Sequence, residues 1–527
     1  MRGFRSKGIK VVVLVSVLLL VPAFSFVAVQ NNGQNSLVCQ VLYPFVNSSS
    51  GYPVVSKAVS WGDVTFSNTS SYSGIEVVLN GNLTVANGGS LTLTNVTLRV
   101  NCTANGSNRI EVQSGGALYI NDTDGNPNTG NDASVITALN PSYRYLFWVM
   151  SGATFQMNNS EVHYCGYDLF PRPINRDALG LWINANNTII ENNTFSDNFE
   201  AMILYYAHHN TIRNNNITDN DDGVSLYYSS NNNLTGNVAT NNGWSGFYLY
   251  NSFDNTLMDN TGVNNVRYGF ILEASSNNNI TGNNATNNWH GFKLSNNANN
   301  NNLTNNVAIN NTHYVFDDYG FWLDSSSDNN LTDNTAINSE YGFFVNASSD
   351  NNDLFGNDAV NCSVAGYFLG AGCVGNDLTG SVVSNFLRIR VVDRGGVPVG
   401  GVDVRVASGG VDVYASAGYG GGNESTGVDG MTAWITVPYQ RYTGVTSTSL
   451  MVEAWAMGYG HRVVDMSSPH TETFTESFGL LPLLLFAATQ GSQSIPAMNI
   501  LILVGLMGIA FVVSMWLLWR LLKRGHL

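Results

Sequence analysis

Residues 278–294 read NNITGNNATNNWHGFKL, and this stretch decides the fold because the chain repeats its pattern. A unit of roughly 23 residues recurs nine times between about residues 187 and 381. In each unit an asparagine stands two places before an aliphatic residue, as Asn278 stands before Ile280. The asparagines are Asn187, Asn210, Asn232, Asn255, Asn278, Asn301, Asn329, Asn352 and Asn376. The aliphatic residues are Ile189, Ile212, Leu234, Leu257, Ile280, Leu303, Leu331, Leu354 and Leu378.

Two further signatures share this period. A second asparagine follows the aliphatic residue by three places in eight units, from Asn192 to Asn357, and Ser381 replaces it in the ninth. The motif Gly-aromatic-x-Leu recurs, as at Gly246–Leu249 and Gly291–Leu294. Together the three signatures define one structural unit that is stacked repeatedly along the chain.

A period of this length indicates a solenoid, because a single unit cannot bury its own apolar face. Apolar residues alternate at i and i+2 in short segments separated by Asn, Asp, Ser and Gly, which is typical of short strands joined by tight turns. We therefore predict an all-β chain whose residues 75–384 form a right-handed parallel β-helix with coils about 4.8 Å apart. Asn tolerates left-handed turn conformations, and its amide can bond to the same amide one coil away, forming a ladder.

The repeat resembles the right-handed β-helix of NosD-type periplasmic copper-binding and carbohydrate-associated proteins. The resemblance rests on Asn-Asn-x-Leu/Ile-Thr-x-Asn with Gly-Phe-x-Leu and covers roughly residues 75–381. It implies the fold but does not select a function, because such repeats occur in lyases, hydrolases, epimerases and non-enzymatic surface proteins. Archaeal cell-surface proteins also resemble the layout of signal, β-helix and C-terminal anchor.

The two ends of the chain predict secretion and a membrane anchor. Basic residues followed by an apolar run at 11–29 indicate a signal peptide over residues 1–29, with retention as an uncleaved anchor as the alternative. Residues 30–74 are expected to form a linker and an N-terminal cap. An apolar run at 500–519, followed by Arg520, Lys523 and Arg524, predicts a transmembrane helix over residues 499–522. The tail 523–527 would be cytoplasmic, residues 479–498 a juxtamembrane linker, and the body extracellular.

Residues 385–478 change in composition and resemble a carboxypeptidase-regulatory-like β-sandwich. The resemblance rests on a D-x-x-G-x-P opening at Asp393–Pro398, a Gly427–Gly430 turn and a strand ending in Ala456–Tyr459. It implies a spacer module.

The acidic balance excludes nucleic acid as a partner. The net charge is −15, and phosphate binding needs clustered Lys and Arg. Asn-x-Ser/Thr sequons such as Asn82, Asn95, Asn216, Asn284 and Asn346 predict a glycoprotein, although an Asn-rich repeat also generates sequons by composition alone.

Two other features could involve cysteine or metal chemistry. Five cysteines cannot all pair; Cys362 and Cys373 are predicted to form a disulfide near the end of the stack, and Cys102 with Cys165 is a second candidate pair with less support. The insertion at 122–132 alternates oxygen side chains, which favours calcium as a cofactor, with an acidic solvated turn as the alternative. Its predicted ligands are Asp122, Asp124, Asn126, Asn128 and Asp132.

The positions between the core residues form outward columns on one face. The first column reads Trp182, Ile203, Ser225, Tyr248, Ile271, Lys293, Trp322, Phe344 and Phe368. The second reads Asn184, Tyr205, Tyr227, Tyr250, Glu273, Ser295, Asp324 and Asn346. Before the glycines stand Asp221, Asp222, Trp244, Arg267, Tyr268, Trp289, His290, Asp317, Asp318, Glu340 and Tyr341.

An exposed aromatic row with carboxylates predicts a site for an extended sugar chain. The predicted ligand-binding residues are Trp182, Tyr205, Tyr227, Trp244, Tyr248, Tyr250, Trp289, His290 and Trp322. Two alternatives remain: the insertion before Gly320 covers this face, or the face contacts a protein such as a surface-layer partner.

Catalysis is the second functional class that the sequence permits. Asp221 beside Asp222 is the best local carboxylate pair for a glycoside hydrolase, and Arg267 with Lys293 could serve a polysaccharide lyase. The motifs of β-helical polygalacturonases and alginate epimerases are absent. Copper binding, implied by the family resemblance, would need His, Met or Cys clusters, and the sequence offers only His208-His209 and His163 with Cys165. We therefore predict a membrane-anchored cell-surface protein that binds glycans or a surface-layer partner, rather than an enzyme or a copper-binding accessory protein.

Overall fold

The computed structural model of the chain describes residues 26–31, 34–39, 58–126, 132–168, 179–313 and 317–476. The chain divides into two units, Met1–Val55 and Ser56–Leu527. In the first unit Phe26–Asn31 and Gln34–Cys39 pair as antiparallel strands. The first of these strands overlaps the predicted signal peptide at residues 26–29; the rest of that peptide lies outside the described residues.

The second unit contains the predicted parallel β-helix, since each coil contributes strands to three parallel sheets. We call them the front, second and third sheets; Val59–Trp61 belongs to the third sheet, and from Val64 onwards each coil contributes to them in that order. The front sheet has 13 strands within the described residues: Val64–Phe66, Leu83–Val85, Arg109–Val112, Leu146–Val149, Gly180–Ile183, Glu200–Tyr205, Asp222–Tyr227, Ser245–Tyr250, Tyr268–Glu273, His290–Ser295, Tyr319–Asp324, Tyr341–Asn346 and Ala365–Leu369.

The other two sheets have shorter strands. The second sheet has 12 strands in the described part: Thr69–Ser73, Ser90–Thr94, Ala117–Asn121, Thr154–Asn158, Ile189–Glu191, Thr211–Arg213, Asn233–Thr235, Thr256–Met258, Asn279–Thr281, Asn302–Thr304, Asn330–Thr332 and Asp353–Phe355. The third sheet contains Val59–Trp61, Glu76–Leu79, Thr97–Val100, Val135–Ala138, Glu161–His163, Thr194–Ser196, Asn216–Thr218, Val238–Thr240, Thr261–Val263, Asn284–Thr286, Val307–Ile309, Thr335–Ile337, Asp358–Val360 and Val382–Val392.

The inward side chains pair with like side chains along the stack. The aromatic position of Gly-aromatic-x-Leu forms a column of buried rings whose neighbours stack nearly parallel, with centroids 4.8 Å apart from Phe247 to Phe343. This distance matches the spacing of coils. The hydrophobic core is therefore a set of ordered columns. Because inward and outward residues alternate along each strand, the outward side chains are aligned in columns as well.

Buried amide ladders connect the coils, as predicted. Asn255 donates its side-chain N–H to Asn278 Oδ1 at 3.1 Å, and Asn278 donates to Asn301 Oδ1 at 3.0 Å. The backbone N–H of Asn255 also donates to that oxygen of Asn278 at 2.9 Å. A third ladder, which the sequence analysis did not identify, begins at Asn198 and Asn220 and reaches Asn311. Each amide thus satisfies buried groups in two neighbouring coils.

The left-handed turns lie next to the ladders and not within them. Asn231, Asn277 and Asn300 have φ of 59°, 59° and 56°, and each directly precedes a ladder asparagine. The two roles proposed for asparagine are therefore divided between adjacent residues.

The register of the first repeat was predicted one residue too early. Thr188 and Ile190, not Asn187 and Ile189, align with Asn210 and Ile212, and Asn193, not Asn192, starts the second ladder. Both aliphatic residues fit the pattern, but only Ile190 is fully buried. Because two aliphatic residues are adjacent here, the sequence did not determine which of them faces the core. The packing in the structure did.

The β-helix begins earlier than predicted and runs into the next module. Val59–Trp61 pairs in parallel with the following coil, so residues 59–73 already form coil structure and not a linker. The strand Val382–Val392 pairs with Asp358–Val360 in the β-helix and with Ile435–Thr443 and His470–Thr475 beyond it. The predicted boundary at 384/385 therefore falls inside one continuous strand.

The strands after the β-helix form two sheets around their own core. One sheet extends from Val382–Val392 to Ile435–Thr443, Thr446–Ser449 and His470–Thr475; the other contains Val404–Ser408, Val411–Ala415, Val452–Ala456 and Gly460–Val464. A short 3₁₀-helix spans Ala417–Tyr419. Side chains from both sheets share one hydrophobic cluster. The ring of Tyr442 lies 5.0 Å from that of Tyr367, so this two-sheet module packs against the last front strand. Its likeness to the carboxypeptidase-regulatory-like family stays a prediction.

Within the described residues no helix is long and apolar enough to span a membrane. The transmembrane helix predicted at residues 499–522 lies outside these residues, as do the juxtamembrane linker and the tail.

Candidate functional site

The front sheet aligns the outward columns as predicted. The first column runs in register through Trp182, Ile203, Ser225, Tyr248, Ile271, Lys293, Trp322, Phe344 and Phe368. The second runs through Tyr205, Tyr227, Tyr250, Glu273, Ser295, Asp324 and Asn346. Residues from separate repeats are thereby brought to neighbouring positions on one face.

The glycine before each buried aromatic residue allows the coils to approach closely. A Cβ added at Gly269 would lie 2.6 Å from Ala285 Cβ and 2.9 Å from Gly291 O. At Gly246 it would lie 2.8 Å from Gly269 O. Real Cβ atoms do not pack at such distances, so the close approach excludes other residues. The glycines thus fix the position of the residues that precede them, which stand at the beginning of the front strands.

A cleft of about 310 Å³ lies on the front sheet; we call it the front cleft. It extends over five successive strands, from Asp222–Tyr227 to Tyr319–Asp324. At a coil spacing of about 4.8 Å this corresponds to roughly 19 Å. Its lining combines four aromatic rings with ionisable and amide groups: Asp221, Asp222, Tyr227, Trp244, Tyr248, Tyr268, Ile271, Glu273, Lys293, Ser295, Asn296 and Asp324.

Glu273 is held in the cleft by neighbours on both sides. Tyr248 donates its hydroxyl to Glu273 Oε2 at 2.8 Å, and Asn296 donates its amide to Oε1 at 2.8 Å. These bonds come from the preceding and the following coil. The carboxylate is therefore oriented before any ligand arrives.

Lys293 is the only lysine in residues 58–476, and it is half-buried in this cleft. Its Nζ lies 3.6 Å from the centre of the Trp322 ring and 3.9 Å from Asp324 Oδ2. Burial lowers the pKa of Lys293, while the charges of Asp324 and Glu273 raise it. The cleft therefore holds a cation whose charge is partly balanced by two carboxylates and one ring.

Arg267 lies between Trp244, which lines the front cleft, and Trp289, which does not. The Arg267 guanidinium carbon lies 3.7 Å from the Trp244 ring centre and 5.7 Å from the Trp289 ring centre. Trp289 also stacks on His313 at 4.2 Å and donates its indole N–H to Asp317 O at 3.1 Å. The ends of the insertion before Gly320 thus cover Trp289, whereas Trp244 stays 42% exposed.

A second hollow of about 400 Å³ shares Tyr268 with the front cleft; it is lined by Arg267, Tyr268, Trp289, His290, Asp317, Tyr319 and Trp322. His290 is buried there between the rings of Tyr268 and Tyr319. Burial, reinforced by the positive charge of Lys293, lowers the pKa of His290 to about 3. Its Nδ1 has no hydrogen-bond partner among the described residues. The imidazole is therefore neutral at physiological pH.

The structure divides the nine predicted ligand-binding residues into three groups. Tyr227, Trp244 and Tyr248 line the front cleft; Trp289, His290 and Trp322 line the second hollow; Trp182, Tyr205 and Tyr250 line neither.

The prediction of an exposed aromatic row is wrong. Tyr227 is 2% and His290 4% exposed, and of the nine residues only Trp244 is exposed. The reason is the coil spacing, because rings in adjacent coils lie close enough to pack on each other. Trp182 and Tyr205, for example, have ring centroids 5.9 Å apart.

Residues with a place in the site were also missed. Tyr268, Glu273, Lys293 and Asp324 stand in the predicted columns but were not selected as ligand-binding residues. Lys293 could have been recognised as a site residue from the sequence, because a single lysine in an Asn-rich repeat array has no structural reason for its position. Tyr206 and Tyr228 were missed altogether; their rings stack 4.9 Å apart at an interplanar angle of 8° and lie exposed at the turn after the front strands.

The three weak catalytic candidates have different surroundings. Asp222 is buried, and its Oδ1 accepts the backbone N–H of Ser245 at 2.9 Å. Asp221 lines both the front cleft and a broad depression that extends towards Arg144. Arg267 is stacked on Trp244, as described above. The pair Asp221 and Asp222 thus reaches the front cleft, but Asp222 also stabilises the next coil.

Metal-ligating side chains form one close group in the part of the chain that the structure describes. The ligand atoms of Asp122, Asp124 and Asp132 lie within 4.8 Å of one another. Asn126 lines the cavity beside them, and Asn128, the remaining predicted ligand, lies outside the described residues.

Two of the three histidines considered for copper, His163 and His208, already have side-chain partners. His163 bonds Glu161 through Nε2 at 2.9 Å and Ser196 through Nδ1 at 2.8 Å. His208 Nδ1 accepts the backbone N–H of Ser230 at 3.0 Å.

Cys102, Cys165, Cys362 and Cys373 are free thiols in the structure. Cys362 donates to Val360 O at 3.8 Å and Cys373 to Val345 O at 3.7 Å, so the predicted disulfide is not formed. The thiols point to carbonyls of different strands, Asp358–Val360 and Tyr341–Asn346. Cys102 and Cys165 are likewise unpaired and lie buried in the core.

Comparison with known proteins gives one family. The sequence matches the family described as periplasmic copper-binding protein (NosD) over residues 100–265 and 259–394, which together exceed half of the chain. No curated protein matches the sequence.

Three solved structures are similar to parts of this chain. The crystal structure of the periplasmic alginate epimerase AlgG has 14% sequence identity and a TM-score of 0.39, covering 59% of this chain and 77% of that chain. The catalytic domain of a GH87 alpha-1,3-glucanase in complex with nigerose has 14% identity and a TM-score of 0.32, covering 62% and 64%. The Dettilon tailspike protein (gp208) has 10% identity and a TM-score of 0.30, covering 76% and 74%. Similarity at this level carries no inference about activity.

Proposed function

This chain belongs to the NosD family of parallel β-helix proteins, and from the geometry of its front sheet we propose that it binds a carbohydrate chain in the front cleft. The observation that supports the proposal is the lining of the cleft over five coils, where Trp244, Tyr248 and Tyr268 stand beside Glu273 and Lys293. Aromatic faces stack on sugar rings, and oriented polar groups bond their hydroxyls.

Trp244 and Glu273 have separate roles in this proposal. Trp244 presents an exposed ring backed by Arg267, so it offers a fixed surface for stacking. Glu273 is pre-oriented by Tyr248 and Asn296, and a ligand hydroxyl can donate to it without reorganisation of the site. The cleft extends along the stack over five coils, which suits an extended chain better than a compact metabolite.

A glycan array probed with the full-length chain tests the proposal. We expect binding to at least one class of glycan that is lost in Trp244→Ala and weakened in Glu273→Gln. Trp434→Ala is the matched control, because Trp434 is 50% exposed in the two-sheet module, away from the cleft. The absence of binding to every glycan, or unchanged binding by both cleft variants, would contradict the proposal.

Cleavage of a polysaccharide is the second candidate, and Lys293 is the observation that favours it. Burial lowers the pKa of this ammonium, which makes the neutral amine more accessible as a general base. A lyase would raise ultraviolet absorbance through unsaturated uronates, and a hydrolase would release reducing sugar. Either activity should disappear in Lys293→Met, which keeps a side chain against Trp322. If the protein binds a polysaccharide but releases no product, the cleavage candidate is rejected and carbohydrate binding alone stands.

Copper does not fit the described residues. The close group of three potential ligands is all aspartate, and oxygen donors suit magnesium, calcium or manganese better than copper. His163 and His208 are engaged as described. We therefore derive no function through copper for this chain. Tight copper binding that disappears in the double variant His208→Ala with His209→Ala would contradict this conclusion.

We place this function at the cell surface, with the C-terminal apolar run as a single anchor and a surface-layer protein as the alternative partner. The placement rests on the sequence at residues 500–519. Fractionation of expressing cells tests it: the full-length chain should sediment with membranes, and a chain ending at residue 498 should not. Surface proteolysis of intact cells should then reach the β-helix.

A further inference from the structure

The turn between the strands Ala117–Asn121 and Val135–Ala138 is an insertion that brings three carboxylates together. Asp122, Asp124 and Asp132 place their ligand atoms within 4.8 Å of one another. In the later coils the same connection is about two residues long, as between Ile189–Glu191 and Thr194–Ser196. Three like charges at this distance repel one another unless a cation lies between them.

Buried oxygen atoms without partners point to a ligand in this turn. Asp122 is 7% exposed; its Oδ1 accepts the amide of Asn159 at 3.2 Å, whereas its Oδ2 is buried without a hydrogen-bond partner among the described residues. Asn159 Oδ1 is also buried and also has no hydrogen-bond partner among the described residues. Both residues line a cavity of about 60 Å³ together with Asp132. A buried carboxylate oxygen without a partner is costly, and its usual resolution is a metal ion or water.

We infer that this turn binds a calcium ion through Asp122 Oδ2, Asn159 Oδ1 and the carboxylates of Asp124 and Asp132. Calcium takes six to eight oxygen ligands at about 2.3–2.6 Å, so ligands on opposite sides of the ion stand about 4.6–5.2 Å apart. The ligand atoms of the three aspartates lie within that span. Magnesium demands a tighter octahedron at about 2.0–2.1 Å and retains several waters, which suits this irregular set less well. Water completes the calcium shell.

The ion would connect two coils of the β-helix. Asp122 follows the strand Ala117–Asn121, and Asn159 follows Thr154–Asn158, which pairs with it in parallel. The described ends of the insertion would thereby be fixed against the next coil. The amide ladders begin only at Asn193, so the bound ion would take their role in the irregular early coils.

Calcium titration of the full-length chain, stripped of metal with a chelator, tests the inference. We expect saturable heat for one ion per chain and a melting temperature that rises with calcium concentration. Asp124→Asn, which alters an exposed ligand, should weaken binding by roughly 10- to 100-fold, the range for disturbed metal sites. Asp122→Asn should do the same. Asp254→Asn is the control: it also removes one charge, at an exposed position with φ of 55° that Asn tolerates.

Several results would overturn the inference. The first is a titration of the wild type in which calcium produces neither heat nor a change in melting temperature. The second is an Asp124→Asn variant that binds calcium with wild-type affinity. The third is a wild type that binds magnesium as tightly as calcium. If Asp122→Asn fails to fold, Asp124→Asn alone decides, because its side chain is exposed. Since the turn lies outside the front cleft, the result does not depend on whether the protein binds a glycan.

Discussion

The imidazole of His290 stacks on the ring of Tyr319, with centroids 5.1 Å apart and planes inclined by 14°. On its other side lies Tyr268, at 5.4 Å and 26°. The three rings come from successive coils, so the histidine is held in a column that excludes water. This explains why a histidine in a predicted ligand-binding column is a neutral packing residue with one edge towards the second hollow.

His290→Phe is predicted to change the dependence of stability on pH. In the wild type the unfolded chain binds a proton at His290 below about pH 6.5, but the folded chain binds it only near pH 3. Stability therefore falls as pH decreases through this window, by up to roughly 1.4 kcal/mol per pH unit. The variant keeps a ring in the stack and should lose this slope. Urea unfolding between pH 4 and 8 measures it; an unchanged slope would contradict the assignment.

Asp358→Asn is predicted to act in the opposite direction. Burial raises the pKa of Asp358 to about 6, so the folded chain binds this proton more tightly than the unfolded chain, and stability increases as pH falls from 6 towards 3.8. Ser384 donates its hydroxyl to Asp358 Oδ1 at 2.7 Å and can donate equally to an amide oxygen.

The neutral variant should therefore be more stable at pH 8, by at most about 3 kcal/mol, and equal to the wild type near pH 3.5. Thermal unfolding at both pH values decides. Destabilisation at pH 8 would show that the ionised form is favoured after all.

Asn260→Ala is predicted to destabilise the middle of the stack. Its amide donates to Leu234 O at 2.8 Å and to Asn283 Oδ1 at 3.0 Å, and its Oδ1 accepts the amide of Asn237 at 2.9 Å. Truncation leaves these buried groups without partners, at a cost of roughly 3 kcal/mol. Asn233→Ala, at an exposed position, is the control. Denaturant unfolding should separate the two; equal midpoints would mean that the ladders do not stabilise the fold.

Gly269→Ala is predicted to destabilise by overpacking. The added methyl group would meet Ala285 Cβ at 2.6 Å, and the surrounding backbone cannot move without disturbing two coils. The expected loss is about 1–3 kcal/mol or more. At Gly422 nothing lies within 4 Å of an added Cβ, so Gly422→Ala is the control. A melting temperature equal to that of the wild type would show that the coils can separate at this edge.

The repeat in the sequence predicted more of the fold than of the site. The alternation of apolar residues and the position of Gly-aromatic-x-Leu determined which side chains face inward, because each must meet its equivalent one coil away. The predicted register of the first repeat is wrong at Ile189 and Ile190, because two adjacent aliphatic residues satisfy the same pattern. The third ladder, from Asn198 to Asn311, was missed because Asn is too frequent for one more column to stand out.

By itself the sequence determined that the chain is a stack of β coils with ordered outward columns, because periodicity fixes the register of any repeat long enough to bury its core. The tertiary structure decided which column members are accessible. Arg267 between Trp244 and Trp289, and His313 on Trp289, are contacts between side chains of different coils. Their geometry depends on a coil spacing that is close to the distance of aromatic stacking. The same spacing that holds the coils together therefore leaves most of the rings half-buried or buried, and it leaves Trp244, Glu273 and Lys293 around the front cleft.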